Sequence, residues 1–169
     1  MTAAPEPVSA ETPTRFMPPR WVITTAWRVH RAMYRWSGGR FGLRRPRPGR
    51  NGLAALTTVG RRTGEDRQVM IAYYEHGELF VTMAMNGWAS DEPAWWLNLQ
   101  AVSTATLTLH DRELRVTGRA ATADERPELW RRWGEIDSHL DGWAARRTGE
   151  TAVVILTPSD ESGTVTIDA

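Results

Sequence analysis

Two apolar runs, Leu53 to Val59 and Gln68 to Tyr74, stand either side of the loop Gly60-Arg61-Arg62-Thr63-Gly64-Glu65-Asp66-Arg67. This stretch constrains the chain more than any other. The runs have strand length. The loop between them carries two glycines, where backbone turns sharply and leaves its amides uncovered. Its arginines add rigid forks of donors that match phosphate or carboxylate oxygens. Two readings fit these residues: an anion site between two strands, or a polar hairpin with surface arginines of the kind common in all-β domains.

Similar punctuation recurs downstream. Glu75-His76-Gly77 reads as a tight turn into a third strand, Glu78 to Ala84, with His76 facing solvent. Thr104 to Leu109 and Glu113 to Ala121 alternate in polarity and meet at His110-Asp111-Arg112. Ala152 to Leu156 is a continuous apolar run, expected as a central strand, and Gly163 to Ile167 is expected as a short edge strand. Between the strands lie helices. Ser90 or Asp91 is expected to cap a helix over Ala94–Gln100, with Pro93 in its first turn. Its adjacent Trp95 and Trp96 point to different sides, so at least one is expected to face something other than the core. Thr122-Ala123-Asp124-Glu125 is a capping box that starts a helix through Leu129, Trp130 and Trp133. The segment Glu135 to Arg147 is expected to be helical as well. Six or so strands with hairpins and no βαβ rhythm imply a mainly β fold with helices, a small antiparallel barrel.

At 169 residues the chain suits one domain with a real core. Residues 1–19, rich in Pro, Ala, Thr and Glu, read as a disordered leader. Residues 20–51 read as a basic amphipathic helix, Arg20 to Trp36, and a Gly/Arg/Pro linker with the composition of a flexible arm. Residues 52–169 form the barrel domain. The helix packs on the domain or on a partner subunit, or it makes peripheral contact with an anionic membrane surface. No acidic residue occurs between Thr12 and Gly64, while arginines from Arg15 to Arg62 crowd that stretch. The asymmetry points to an anionic partner. The absence of cysteine excludes disulfides and thiolate metal sites, and the four histidines lack ligand spacing, so no metal is expected. No apolar run approaches the roughly 20 residues that span a bilayer. The first 19 residues lack the apolar core of a signal peptide. A cytoplasmic protein is expected.

Together these landmarks resemble the deazaflavin-dependent nitroreductase family, split β-barrel (FMN-binding-like) oxidoreductases that use the deazaflavin coenzyme F420. The resemblance is carried by Leu56-Thr57-Thr58-Val59-Gly60-Arg61-Arg62-Thr63-Gly64 with Arg67, by Asn86-Gly87, and by Pro93-x-Trp95-Trp96-x-Asn98-Leu99. Ala120-x-x-x-x-Glu125-Arg126-x-x-x-Trp130, Val153-Val154-x-Leu156-x-Pro158 and Met33-Tyr34-Arg35 extend it over roughly residues 20 to 158. It implies a barrel of six or seven antiparallel strands. It also implies an F420-dependent reductase passing hydride to a small-molecule substrate: a quinone, an activated alkene or a nitro compound. By the same resemblance Arg61, Arg62, Thr63, Gly64 and Arg67 hold the coenzyme's phosphate and acidic tail. Met70, Ile71, Met85, Asn86 and Gly87 border the deazaflavin ring, and Trp95 and Trp96 start the helix that closes the pocket. The same barrel also suits an FMN-dependent oxidoreductase or a non-enzymatic binder of F420 or lipid. Nucleic acid is not an expected partner, and the expected assembly is a monomer or homodimer.

The chain departs from the family pattern in three places. Trp88 stands where the family usually has glycine, and Ala101-Val102-Ser103 replaces Ala-Asn-Pro. The segment Glu135–Arg147 lacks the tyrosines that members active on nitroaromatics carry. Candidates for delivering a proton are then His139, Tyr73 and Tyr74, the two tyrosines on opposite faces of their strand.

Overall fold

The computed structural model describes residues 42–85 and 91–159. Six strands run through them: β1 (Gly52–Val59), β2 (Asp66–His76), β3 (Leu79–Met83), β4 (Thr104–Thr108), β5 (Glu113–Ala120) and β6 (Val153–Pro158). They close into an all-antiparallel barrel in the order β1-β2-β3-β6-β5-β4, the architecture expected from the sequence. Closure leaves no open sheet edge. Gly52 pairs with Tyr73 and Val59 with Asp66, so the arginine loop lies at one end of the barrel and Tyr73 near the other. Strand alternation sorts the side chains. Leu56, Ile71, Tyr73, Phe80, Leu107, Val116 and Leu156 fill the interior, whereas Tyr74, Val81, Met83, Val153 and Ile155 face outward.

Helix α1 (Ala94–Ala101) plugs the loop end. Trp95, Trp96 and Leu99 all join the interior cluster, the two indoles edge to face with centroids 6.2 Å apart. The expectation that one tryptophan faces away from the core does not hold. A helix set into a barrel mouth is surrounded by rim and loops, so residues on several of its sides are buried. Close seating requires Gly118 on β5, where a Cβ would fall 2.3 Å from Leu99 Cδ2. The helix is not capped by Asp91. Pro93 occupies the cap position in extended backbone (φ −65, ψ 139), and its carbonyl accepts from Trp96 N and Leu97 N. Ser90 lies outside the described residues.

Helices α2 (Arg126–Ile136) and α3 (Leu140–Ala144) cover the outward face of β2, β3 and β6 through Leu129, Trp133 and Leu140. The segment Glu135 to Arg147 is therefore not one helix. Asp137 is extended (φ −125, ψ 96), and its carboxylate accepts the His139 N–H at 3.0 Å. Such a side-chain turn competes with continued helix. His76 also differs from expectation: β2 runs through it, and its Nδ1 lies 3.1 Å from the Arg132 guanidinium. Nor are residues 42–51 a free arm. Arg44 exchanges backbone hydrogen bonds with Leu53, its guanidinium holds Asn51, and Leu43 packs with Ala55 and Met70. The leader, the helix over Arg20 to Trp36 and the edge strand over Gly163 to Ile167 lie outside the described residues. No described helix is long and apolar enough to cross a membrane.

The capping box forms as written. The Thr122 amide donates to Glu125 Oε2 at 2.8 Å and the Glu125 amide to Thr122 Oγ1 at 3.3 Å. Arg119 adds a two-pronged bond to the same carboxylate. Arg119, and then the Thr122 amide, hold the Glu125 carboxyl down at about 2. A carboxyl depressed in the folded state stabilises the fold above its ordinary pKa and ceases to do so as pH falls through the folded value. Glu125→Gln is therefore expected to destabilise at neutral pH, with the difference from wild type shrinking between about 4.5 and about 2. Urea midpoints across that range check this; a difference independent of pH would show that the charge has no part in it.

Candidate coenzyme site

The loop after β1 is built by its glycines. The Gly60 amide donates to the Glu65 carbonyl at 2.8 Å, and a Cβ on Gly60 would sit 2.8 Å from that same oxygen. The Gly64 amide returns to the Gly60 carbonyl at 2.7 Å with φ +71, the left-handed region that glycine enters freely. The result is a tight turn that pushes Arg61, Arg62 and Thr63 into solvent.

The three arginines are held differently. Arg67 is paired with Glu65 at 2.7 Å and lies 3.4 Å from Thr63 Oγ1, in an exposed arrangement. Arg61 turns back toward the plug, donating from its backbone N (3.3 Å) and its Nη1 (3.1 Å) to Oδ1 of Asn98. Arg62 has no hydrogen-bond or ion-pair partner among the described residues. Exposed cations without counter-charges, beside a glycine turn, can take an anionic group of phosphate type.

The remaining candidate residues fall into separate places. Trp95 and Trp96 are buried directly behind the loop, on the helix that carries Asn98. Met70 and Ile71 are on opposite faces: Met70 packs outside with Ala55 and Leu43, Ile71 inside. Met85 is half-buried against the α2–α3 layer. Asn86 and Gly87 lie outside the described residues. Tyr74 is buried outside the barrel, donates to the Leu129 carbonyl at 3.0 Å and packs against Trp133 with the rings tilted at 54°. Tyr73, inside the barrel, lies seven residues up β2 from the loop, roughly 23 Å at strand rise. It lines a small cleft of about 150 Å³ with Arg45, Asp111 and Arg112. Burial pushes both phenols up to about 12, so each stays protonated and is a weak acid at neutral pH. His139 is exposed at the α2–α3 junction, near Ser138 and Asp137. The structure therefore joins the arginine loop to α1 and leaves the three proton-donor candidates apart from one another.

Two side chains were assigned no role from the sequence. Asn98 is 4% exposed in the middle of an apolar helix, and a lone carboxamide among tryptophans and leucines was its signal. Arg147 is buried and donates to the Ala84 carbonyl and Thr151 Oγ1, tying the end of β3 to the start of β6, with Glu92 at 3.5 Å. Nothing in its local sequence distinguishes it from a surface arginine. Among the described residues no group of three potential ligands can hold a metal.

This barrel places the chain among split β-barrel proteins, a fold it shares with a solved F420-H2 dependent reductase. More narrowly, it belongs to the F420H(2)-dependent quinone reductase family, whose model matches residues 26–158, and is an oxidoreductase. It is 26% identical over 134 residues to an F420H(2)-dependent quinone reductase of Mycobacterium tuberculosis, covering 77% of this chain and 88% of that protein. A solved F420-H2 dependent reductase, FDR-A, superposes with a TM-score of 0.57 at 23% identity, over 68% of this chain and 99% of that one. The haem storage protein HutZ of Vibrio cholerae has a TM-score of 0.52 at 13% identity, over 68% and 84% of the two chains. These structural likenesses concern the fold.

Proposed function

We propose that this chain passes hydride from reduced F420 to a small acceptor, and that quinones are turned over better than nitroaromatics. The observation that carries the coenzyme half is the glycine turn with Arg61 and Arg62 exposed and, among the described residues, paired with no carboxylate, backed by the tryptophan plug. Its exposed donors fit a phosphate: Arg61, Arg62 and Thr63 would hold it, while Trp95, Trp96 and Leu99 keep water out of the barrel behind it. When bound, reduced F420 supplies the hydride, so the protein need only bind, orient and exclude water.

The acceptor half rests on proton supply. After hydride transfer the acceptor needs a proton, and a positioned general acid typically contributes about 10²–10⁴-fold. Tyr74 gives its hydroxyl to Leu129, Tyr73 sits near the far barrel end, and His139 is exposed. Quinone products take protons readily from bulk water, whereas nitro reduction gains more from a held donor. Solvent protonation therefore favours quinones.

The test is a fluorescence and absorbance titration with F420 and, separately, FMN, followed by turnover of reduced F420 with menadione. Binding of F420 and steady oxidation by menadione are expected. Preference for FMN, or binding without turnover, would overturn the proposal. The pH–rate profile of His139→Ala with menadione is expected to match wild type; a lost limb would make His139 the donor.

A further inference from the structure

We infer that Asn98 is the positioning residue of the arginine loop, and that its being a neutral carboxamide is what leaves Arg61 free to bind an anion. A buried carboxamide must have its polar atoms paired, and here each has a partner. Asn98 Nδ2 donates to Thr58 Oγ1 at 3.2 Å, and Thr58 Oγ1 in turn donates to the Arg67 carbonyl at 3.3 Å. Asn98 Oδ1 accepts the Arg61 amide and guanidinium at 3.3 and 3.1 Å. This orientation is forced. The Thr58 hydrogen is spent on Arg67, so Thr58 can only accept, and Arg61 offers only donors. Turning the amide over would set NH₂ against two N–H donors and leave an oxygen facing an oxygen.

The chain of bonds runs from the β2 end of the loop, through β1, to the plug helix and back to the β1 end of the loop. It fixes Arg61 in place before any ligand arrives. A carboxylate at position 98 would grip Arg61 more tightly and cancel its charge, as Glu65 does for Arg67. The neutral oxygen fixes position without neutralising, and most of the five guanidinium donors remain for an incoming anion. Preorganised, uncompensated charge is the form in which an arginine gives most to binding. That the anion belongs to F420 rests on the proposal above.

The test compares Asn98→Ala and Asn98→Asp by two readouts. In the free protein, amide hydrogen exchange at Arg61 is expected to be slow in wild type and Asn98→Asp, and fast in Asn98→Ala. In F420 titrations the expected order of affinity is wild type, then Asn98→Ala, then Asn98→Asp. The aspartate is expected to be weaker than wild type by roughly ten- to a hundredfold, the scale of one charge-assisted hydrogen bond. KM for reduced F420 should rise with kcat for menadione largely kept. A merely structural role predicts the reverse ranking, because alanine removes every bond and aspartate keeps those to Arg61. Aspartate binding F420 as well as alanine does, or better, would overturn the inference. If Asn98→Asp does not fold, Thr58→Val removes the acceptor that orients the carboxamide. Unchanged Arg61 exchange and F420 affinity in that variant would likewise overturn it. Were wild type to bind no F420, the proposed function would fall. Asn98 would then be judged by Arg61 exchange alone, where protection persisting in Asn98→Ala overturns its role.

Discussion

Replacing Arg61 and Arg62 together by alanine is expected to weaken F420 binding by about 3 kcal/mol or more, on the order of a hundredfold in Kd. Among the described residues each guanidinium is exposed and free of a carboxylate, so each offers its charge to a phosphate. The two effects should add incompletely, because the side chains are neighbours addressing one group. Arg67→Ala is expected to cost less, about 1 kcal/mol, because Glu65 at 2.7 Å already offsets part of that charge. Arg61 and Arg67, equivalent in the sequence, are thus not equivalent in the fold. Fluorescence titration at fixed ionic strength of the double variant, its two single variants and Arg67→Ala checks this, and melting temperatures should barely move because these side chains bury little. Wild-type affinity in the double variant would remove the anion site from this loop.

Gly118→Val is expected to be the most damaging single change outside the loop. A Cβ at this position would stand 2.3 Å from Leu99 Cδ2, 2.9 Å from its Cγ and 3.1 Å from Leu156 Cδ2, all deep in the barrel. Valine adds two further carbons beyond that Cβ, and a close-packed interior has no room to receive them. Overpacking of this kind costs about 3 kcal/mol, roughly 10 °C in Tm for a domain of this size. Leu99 belongs to α1, so relief must come by lifting the helix that also carries Asn98. F420 affinity should therefore fall along with stability. Calorimetry of Gly118→Val, Leu99→Ala and the double variant checks the cause. The double variant should be more stable than the sum of the single effects predicts, since removing the leucine side chain makes room for the valine. Strict additivity would mean that the two residues do not collide.

The barrel was legible because its signals are local. Alternating or continuous apolar runs of strand length, turns at Gly60–Gly64, Gly77 and His110–Arg112, and a capping box at Thr122–Glu125 each act within a few residues. The arginine loop was legible as a candidate anion site for the same reason, since glycine freedom and guanidinium geometry belong to the residues themselves. Boundaries moved where long-range packing or side-chain competition intervened, as at Asp137, where a carboxylate captures a nearby amide and divides the predicted helix.

The amino-acid sequence by itself determined that the chain is a small antiparallel barrel with an arginine-bearing turn after its first strand, because strand periodicity and turn chemistry are properties of neighbouring residues. Tertiary structure decided what each charge and aromatic does. Whether both tryptophans are buried depends on a helix entering a barrel mouth, which Gly118 on a distant strand permits. Whether an arginine is free or compensated depends on which residue closes against it: Glu65 two positions away for Arg67, Asn98 on another element for Arg61. Tyr73 and Tyr74 are adjacent in the chain, yet one lines a cleft near the far barrel end and the other is bonded beneath α2. Electrostatic and hydrogen-bond energies are set by separations of a few ångströms between residues far apart in sequence, and only the closed barrel brings those residues within reach.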